Sequence, residues 1–483
     1  MGLIPTSPRE IGLPYDAWRP GQVDAMTRVL TSNKRITLLQ APTGFGKSAM
    51  AIGMLLASDT RGSILTQTKQ LAKQYARDFP FAAVMEGRNN YPCPEMPGAT
   101  AETGPCAVLQ NYECESSPYC PYRQAKSKAM NASITIMNMS YFLYESAYGV
   151  DEFAGRDWVI VDEGHLAEPA LSSFAEISFS ERTLLPVNLV LPIDISFAGV
   201  VQWARESLKA LEPDSDDEDE PVAEPVETPH NVESLKQAVR VKRICMNLNR
   251  VLNEANKDWI IKKHATGISL TPLWATGYSH YLFGKCGRGL ILSATIIDPD
   301  MNCELLGIKK DESDFFEVPS IFPPSNRPVV YFPMARLSHG SDESELQNLV
   351  TKMDIAIGKY EERGKLRGIV HTANYRIANY IVDNSQYSYR MITHRTADRI
   401  TALQQFEREE DLILVSPSMA HGLDLPYIFS WQFIVKVPFP DLGDERIKRR
   451  AAQRADWYSY LTTCYLVQAY GRACRAPDDY GDT

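Results

Sequence analysis

The chain has 483 residues, 44% of them hydrophobic and 23% charged. Those proportions exclude a disordered polymer, and no apolar run is long enough and free enough of charge for a membrane-spanning helix. The formal charge of −10 argues against a polyanion binder until its location is seen: residues 212–227 carry nine acids and no base, and without them 50 basic residues face 51 acidic ones. The remaining surface can therefore hold local basic grooves.

The N-terminal stretch MGLIPTSPREIGLPYD has no basic region followed by an apolar core. It does not read as a secretory signal, so a cytoplasmic location is expected, with cysteines kept as thiols. Next come the apolar run RITLLQ, a glycine-rich turn and the helical pattern KSAMAIGMLL. SILTQT follows, then a segment with Cys93, Cys106, Cys114 and Cys120 among prolines, glycines and acids. SITIMN and WVIVDE are two further β-rich runs. Residues 169–265 change character. They hold the acidic run, which reads as a disordered loop, and helical stretches such as VESLKQAVRVKRICMNLNRVLNEANKDW. GLILSAT, RGIVHT, LILVSP and QFIVKV then resume the strand pattern. Near-continuous apolar strands alternating with helices indicate parallel sheets covered on both faces. Two such sets predict an α/β protein with two parallel-sheet domains and a mostly helical insertion.

Ala41 to Ser48 fit a phosphate-binding loop between strand and helix. Backbone N–H groups of Thr43, Gly44 and Gly46 can wrap a phosphate, and the following helix points its positive end at the same anion. Lys47 would reach the β- and γ-phosphates and Ser48 would hold Mg²⁺. Such a site also needs a carboxylate for the metal and a base for water. Asp162 and Glu163, at the end of WVIVDE, supply both. Alone, such a pair is often a solvated strand end.

Together these residues resemble superfamily-two helicases. Asp162-Glu163-Gly164-His165 is similar to the DEAH box, with glycine in the third place. WRPGQ resembles the adenine-reading element, which implies that Gln22 pairs with the adenine edge of ATP. TQTKQLAKQY resembles the nucleic-acid-contacting motif, and LSAT the motif coupling hydrolysis to strand movement. VSPSMAHGLDLP resembles the motif that holds Gly422 and Asp424 near the ribose and the cleft. QAYGRACR resembles the arginine-finger motif. Arg472 and Arg475, three apart, would share a helix face, with Arg475 the principal finger and Gln468 near the attacking water.

Four cysteines between TQTKQLAKQY and the DE box narrow the resemblance to the XPD/DinG group of iron–sulfur DNA helicases. MEGRNNYPC, YCPYRQAK, ASITIMNMSYFL and KVPFP are similar to flanking segments of that group. The resemblance implies two RecA-like motor domains. Motor domain 1 would be 1–88, 126–168 and 266–300. It would carry a [4Fe–4S] domain (89–125) and a helical arch (169–265), and motor domain 2 would be 301–483. It also implies ATP, Mg²⁺, and 5′-to-3′ movement on single-stranded DNA with opening of tailed or forked duplexes. A monomer is expected. The chain ends eight residues after Arg475, earlier than the group's usual closing strand and helix. Zinc suits four thiolates equally well by donor type, although no two of these cysteines lie two to four residues apart. Two rivals remain: a DEAH-type RNA helicase, and a zinc-stabilised nucleic-acid-binding factor with a vestigial motor.

Overall fold

A computed structural model describes residues 4–109, 112–149, 152–211, 232–320, 322–338, 340–372, 374–395, 397–417, 427–471 and 479–483. The acidic run, Gly422, Asp424, Arg472 and Arg475 lie outside the described residues.

The first sheet is built from β1 (Ile36–Gln40), β2 (Gly62–Thr66), β3 (Ala83–Met85), β4 (Ile134–Asn138) and β5 (Trp158–Val161). An inserted unit then contributes β6 (Ile177–Ser180), β7 (Ile260–His264) and β8 (Gly267–Thr271), and the first sheet resumes with β9 (Arg288–Ser293) and β10 (Ser313–Glu317). Its order is β10-β1-β9-β5-β2-β4-β3, and all its pairings are parallel. The strand residues alternate between two cores. Leu38, Leu65, Val159, Val161 and Ile291 face one. Leu39, Ile64, Ile160, Leu290 and Leu292 face the other. Each such side chain contributes roughly 1.5–3 kcal/mol when fully buried, so the sheet is held from both sides.

The second sheet contains β11 (Gly368–His371), β12 (Met391–Ile392), β13 (Ile413–Ser416) and β14 (Trp431–Ile434), again all parallel, in the order β12-β13-β11-β14. The fold class is therefore as expected: two RecA-like α/β domains. Two boundaries differ from expectation. β10 pairs with β1, so the first motor sheet runs to Glu317 and not to 300. Backbone pairing across 277 residues outweighs the local composition there. The insertion is also not purely helical, because β6, β8 and β7 form an antiparallel sheet extending to Thr271. Its helices Phe197–Leu211 and Val232–Asn253 bury Val200, Ala204, Ile244, Leu248 and Val251 against Phe179, Ile268 and Leu270. The long helix reaches the cysteine segment, where Lys242 Nζ donates to the Ala107 carbonyl at 3.2 Å and Arg243 pairs with Glu102.

Candidate active site

In the first sheet β1, β9 and β5 are neighbours, so their carboxyl ends stand side by side. Open parallel sheets bind ligands at that edge. β1 runs into the loop 41–46, and helix α2 (Lys47–Ala57) begins at once. Gly44 and Gly46 have φ of 77° and 82°, the left-handed region that favours glycine. A Cβ on Gly46 would also stand 2.7 Å from the Gln22 amide nitrogen. That amide is the loop's inner brace. Gln22, at the start of helix α1 (Gln22–Thr31), is buried. It donates to the Phe45 and Gly46 carbonyls at 2.9 and 3.2 Å and accepts from Arg19 N–H at 2.8 Å. The Lys47 ammonium donates to the Ala41 and Pro42 carbonyls at 3.2 and 3.3 Å, folded back over the loop it would share with a phosphate.

Asp162 closes β5 and is buried. Its Oδ2 accepts from the Tyr75 hydroxyl at 2.8 Å, and its Oδ1 accepts from Glu163 N–H at 2.9 Å. Tyr75 belongs to helix α3 (Lys69–Asp78). Burial, and then the adjacent Glu163 carboxylate, pushes Asp162 up to about 6, against the opposing Lys47 ammonium and the Tyr75 hydrogen bond. A buried carboxylate beside a hydroxyl and a phosphate loop suits a hydrated Mg²⁺, whose charge would remove that penalty.

Glu163 sits at φ 54°, ψ 50°, a left-handed conformation held by the turn that follows it. Strain of order 1–2 kcal/mol at a non-glycine residue is characteristic of functional positions. The turn points Glu163 toward His165, whose Nδ1 lies 3.4 Å from Glu163 Oε2 and 3.1 Å from Ser293 Oγ. Ser293 Oγ also accepts from Thr295 N–H at 3.0 Å. Gln468, in the helix Ala455–Tyr470 of the second domain, donates to Thr295 Oγ1 at 2.7 Å and lies 3.4 Å from His165 Nδ1. Thr43 Oγ1 of the phosphate loop donates to the Gly471 carbonyl at 3.2 Å. Both domains thus meet at one site.

The structure brings together Thr43, Gly44, Gly46, Lys47, Ser48, Asp162, Glu163 and Gln468. It puts Gln22 on the loop carbonyls and Gln468 against Thr295 and His165. The sequence reading missed the role of Tyr75. It closes TQTKQLAKQY, which reads only as resembling the nucleic-acid-contacting motif, while its spacing from Ala72 puts it on the buried face of α3. Only its polar tip gave a signal.

The four cysteines share one loop-rich segment, Cys93 and Cys120 buried and Cys106 and Cys114 half-buried, all as free thiols. A Cβ on Gly104 would stand 2.8 Å from Cys93 Sγ, so the chain closes tightly over that thiol. Cys114 Sγ donates to Glu95 Oε2 at 3.3 Å, and burial, aided by Glu95, pushes this thiol up to about 11. The donor set suits a thiolate-held metal group. Among the described residues no three His, Cys, Asp or Glu side chains converge as a metal site.

A profile described as "Helicase C-terminal domain" matches residues 362–483, and one described as "Type III restriction enzyme, res subunit" matches residues 16–185. A probable ATP-dependent helicase of Methanocaldococcus jannaschii is 25% identical over 38% of this chain and 34% of its own length, so the match spans about a third of that relative. Among solved structures, an XPD helicase superposes with a TM-score of 0.61 at 15% identity, covering 96% of this chain and 94% of the other. Xpd4 of S. tokodaii gives 0.57 at 13% identity with the same coverages. The fold is thus similar to that of the solved XPD helicases, and the C-terminal part of the chain matches a helicase family model. Among the described residues no helix is long and apolar enough to cross a membrane.

Proposed function

We propose that the chain is an ATP-driven DNA helicase that moves 5′ to 3′ on single-stranded DNA and opens tailed or forked duplexes. The observation that carries this is the contact of Gln468 with Thr295 and His165, which joins the second domain to the residues around Glu163. A nucleotide held at this junction would bias the two domains between open and closed arrangements, the device by which paired motors step. Lys47 leaves its loop carbonyls for the phosphates. Ser48 and Asp162 would hold Mg²⁺, which neutralises phosphate charge in transfer. Glu163 orients and deprotonates water, and His165 holds Glu163 from behind. Arg475 and Arg472 would face the γ-phosphate and Gly422 and Asp424 the ribose, while Gln22 braces the loop and would read adenine only by releasing its loop carbonyls.

DNA in preference to RNA, and the polarity, follow from the XPD/DinG resemblance. The cysteine segment supports them, with Cys93, Cys106, Cys114 and Cys120 as ligands of a [4Fe–4S] cluster. The proposed location is cytoplasmic and the proposed form a monomer.

Strand displacement on tailed DNA and RNA duplexes tests the reading. Wild type is expected to open DNA with a 5′ tail and to leave 3′-tailed duplexes closed. Lys47→Ala should abolish ATP hydrolysis, and Glu163→Gln should keep nucleotide binding while losing turnover by at least ~100-fold. Near wild-type turnover by Glu163→Gln removes the assignment. Preferential opening of RNA, or of 3′ tails, removes the substrate or the polarity.

A further inference from the structure

The Tyr75 ring is buried at 1% exposure, inside the core that holds Leu39, Ile64, Ala72 and Phe79. Its centroid lies 5.9 Å from that of Phe79. A phenylalanine would fill the same volume. The hydroxyl is thus not needed for packing, and burying one without a partner is unfavourable. Its partner is Asp162 Oδ2 at 2.8 Å. The other Asp162 oxygen is held by Glu163 N–H. Two donors on two oxygens fix the plane of the carboxylate and leave its remaining lone pairs for the site. α3 is itself anchored, because its cap Thr68 accepts from Leu71 N–H at 3.1 Å.

We propose that Tyr75 is a positioning residue that aims the Asp162 carboxylate at the divalent cation of a bound nucleotide. This rests on the reading of loop 41–48 and Asp162 as the nucleotide site. The phenol acts from the protein side of the carboxylate. Its ring is packed and cannot swing into the site, so it supports the metal ligand and does not compete with the metal. Partners of this kind commonly change metal affinity by 10- to 100-fold when removed.

The test uses the full chain with a non-hydrolysable ATP analogue and Mn²⁺, followed by electron paramagnetic resonance. Tyr75→Phe is expected to weaken Mn²⁺ binding by about 10-fold. Its affinity for the analogue in the presence of a chelator should stay within about twofold of wild type, which a general packing defect would not allow. In an Asp162→Asn background, Tyr75→Phe should add nothing further. Equal or tighter Mn²⁺ binding by Tyr75→Phe overturns the proposal, as does an equal effect in both backgrounds. A wild-type chain that neither retains Mn²⁺ with the analogue nor hydrolyses ATP overturns the reading of the site itself.

Discussion

At the scale of single residues, most of the candidate site was legible because phosphate chemistry needs particular atoms in a fixed order. Asp162 and Glu163 follow the end of β5, and Lys47 and Ser48 open the helix after the β1 loop, where near-continuous apolar runs give way to polar residues. Gly164 carried less information. In the sequence it was a mild departure from the usual alanine. In the structure a Cβ there would stand 2.2 Å from Ile291 Cγ2 and 3.3 Å from the Leu292 carbonyl. Glycine at 164 is therefore matched to isoleucine at 291, a pairing across 127 residues that no local pattern displays. Gly164→Ala should push β9 or the turn that aims Glu163, at a cost of roughly 1–3 kcal/mol for overpacking. It should lower turnover more than nucleotide affinity. Ile291→Ala in the same chain should recover part of the turnover, although it opens a cavity of its own. Additive losses in a double-mutant cycle would show that the two side chains do not meet.

At the scale of elements, the strands announced themselves where both faces are buried. The eight apolar runs read from the sequence are β1, β2, β4, β5, β9, β11, β13 and β14. β10 was hidden. SDFFE is acidic and only partly buried, as an edge strand can be, and its partner β1 is far away in sequence. The antiparallel strands of the insertion were hidden for a similar reason, since β7 reads IIKKH and is largely exposed. The cysteine segment is the opposite case: the sequence offers four candidate ligands there and no structure. Among its described residues it has only short helical turns, and few apolar side chains beyond Ala99, Ala101, Tyr91 and Tyr122 are packed. Such a segment needs a covalent or metal staple to hold its shape. Cys106→Ser is expected to bleach the visible absorbance of anaerobically purified protein. It should reduce unwinding at least ~10-fold and leave nucleotide binding within about twofold, as measured by strand displacement and analogue titration. Colourless wild-type protein with one zinc per chain that unwinds DNA would replace the cluster with zinc.

At the scale of the whole molecule, the two motor domains are joined by more than the nucleotide site. The helix Glu445–Gln453 of the second domain lies against the helix Ala167–Ala175, which begins two residues after His165. Arg450 is buried there. It donates to Glu168 Oε1 at 2.6 Å and to the Leu273 carbonyl at 2.5 Å, and its guanidinium stands 4.5 Å from the Trp274 ring and 5.2 Å from the Trp457 ring. Arg446 adds bonds to the Ser172 hydroxyl and the Pro272 carbonyl. Burial disfavours the charged Glu168, but the charge and hydrogen bond of Arg450 outweigh it and hold the carboxyl below its ordinary 4.5. A lowered carboxyl contributes stability above its unfolded pKa and loses it as pH falls through the lower folded value. Pulling this contact apart would leave a charge buried or require two to be rehydrated together, so it resists separation of the two domains here. Arg450→Met leaves Glu168 buried without its main partner and should cost about 3–5 kcal/mol, read as a lowered midpoint in denaturant at neutral pH. Adding Glu168→Gln to Arg450→Met removes the stranded charge and should return part of that loss. It should also flatten the loss of stability of the chain as pH falls below the ordinary carboxyl value of 4.5, relative to wild type, because the titrating group is gone. If Arg450→Met melts like wild type, or if the double variant is less stable than Arg450→Met alone, the buried Arg450–Glu168 pair does not hold the two domains together.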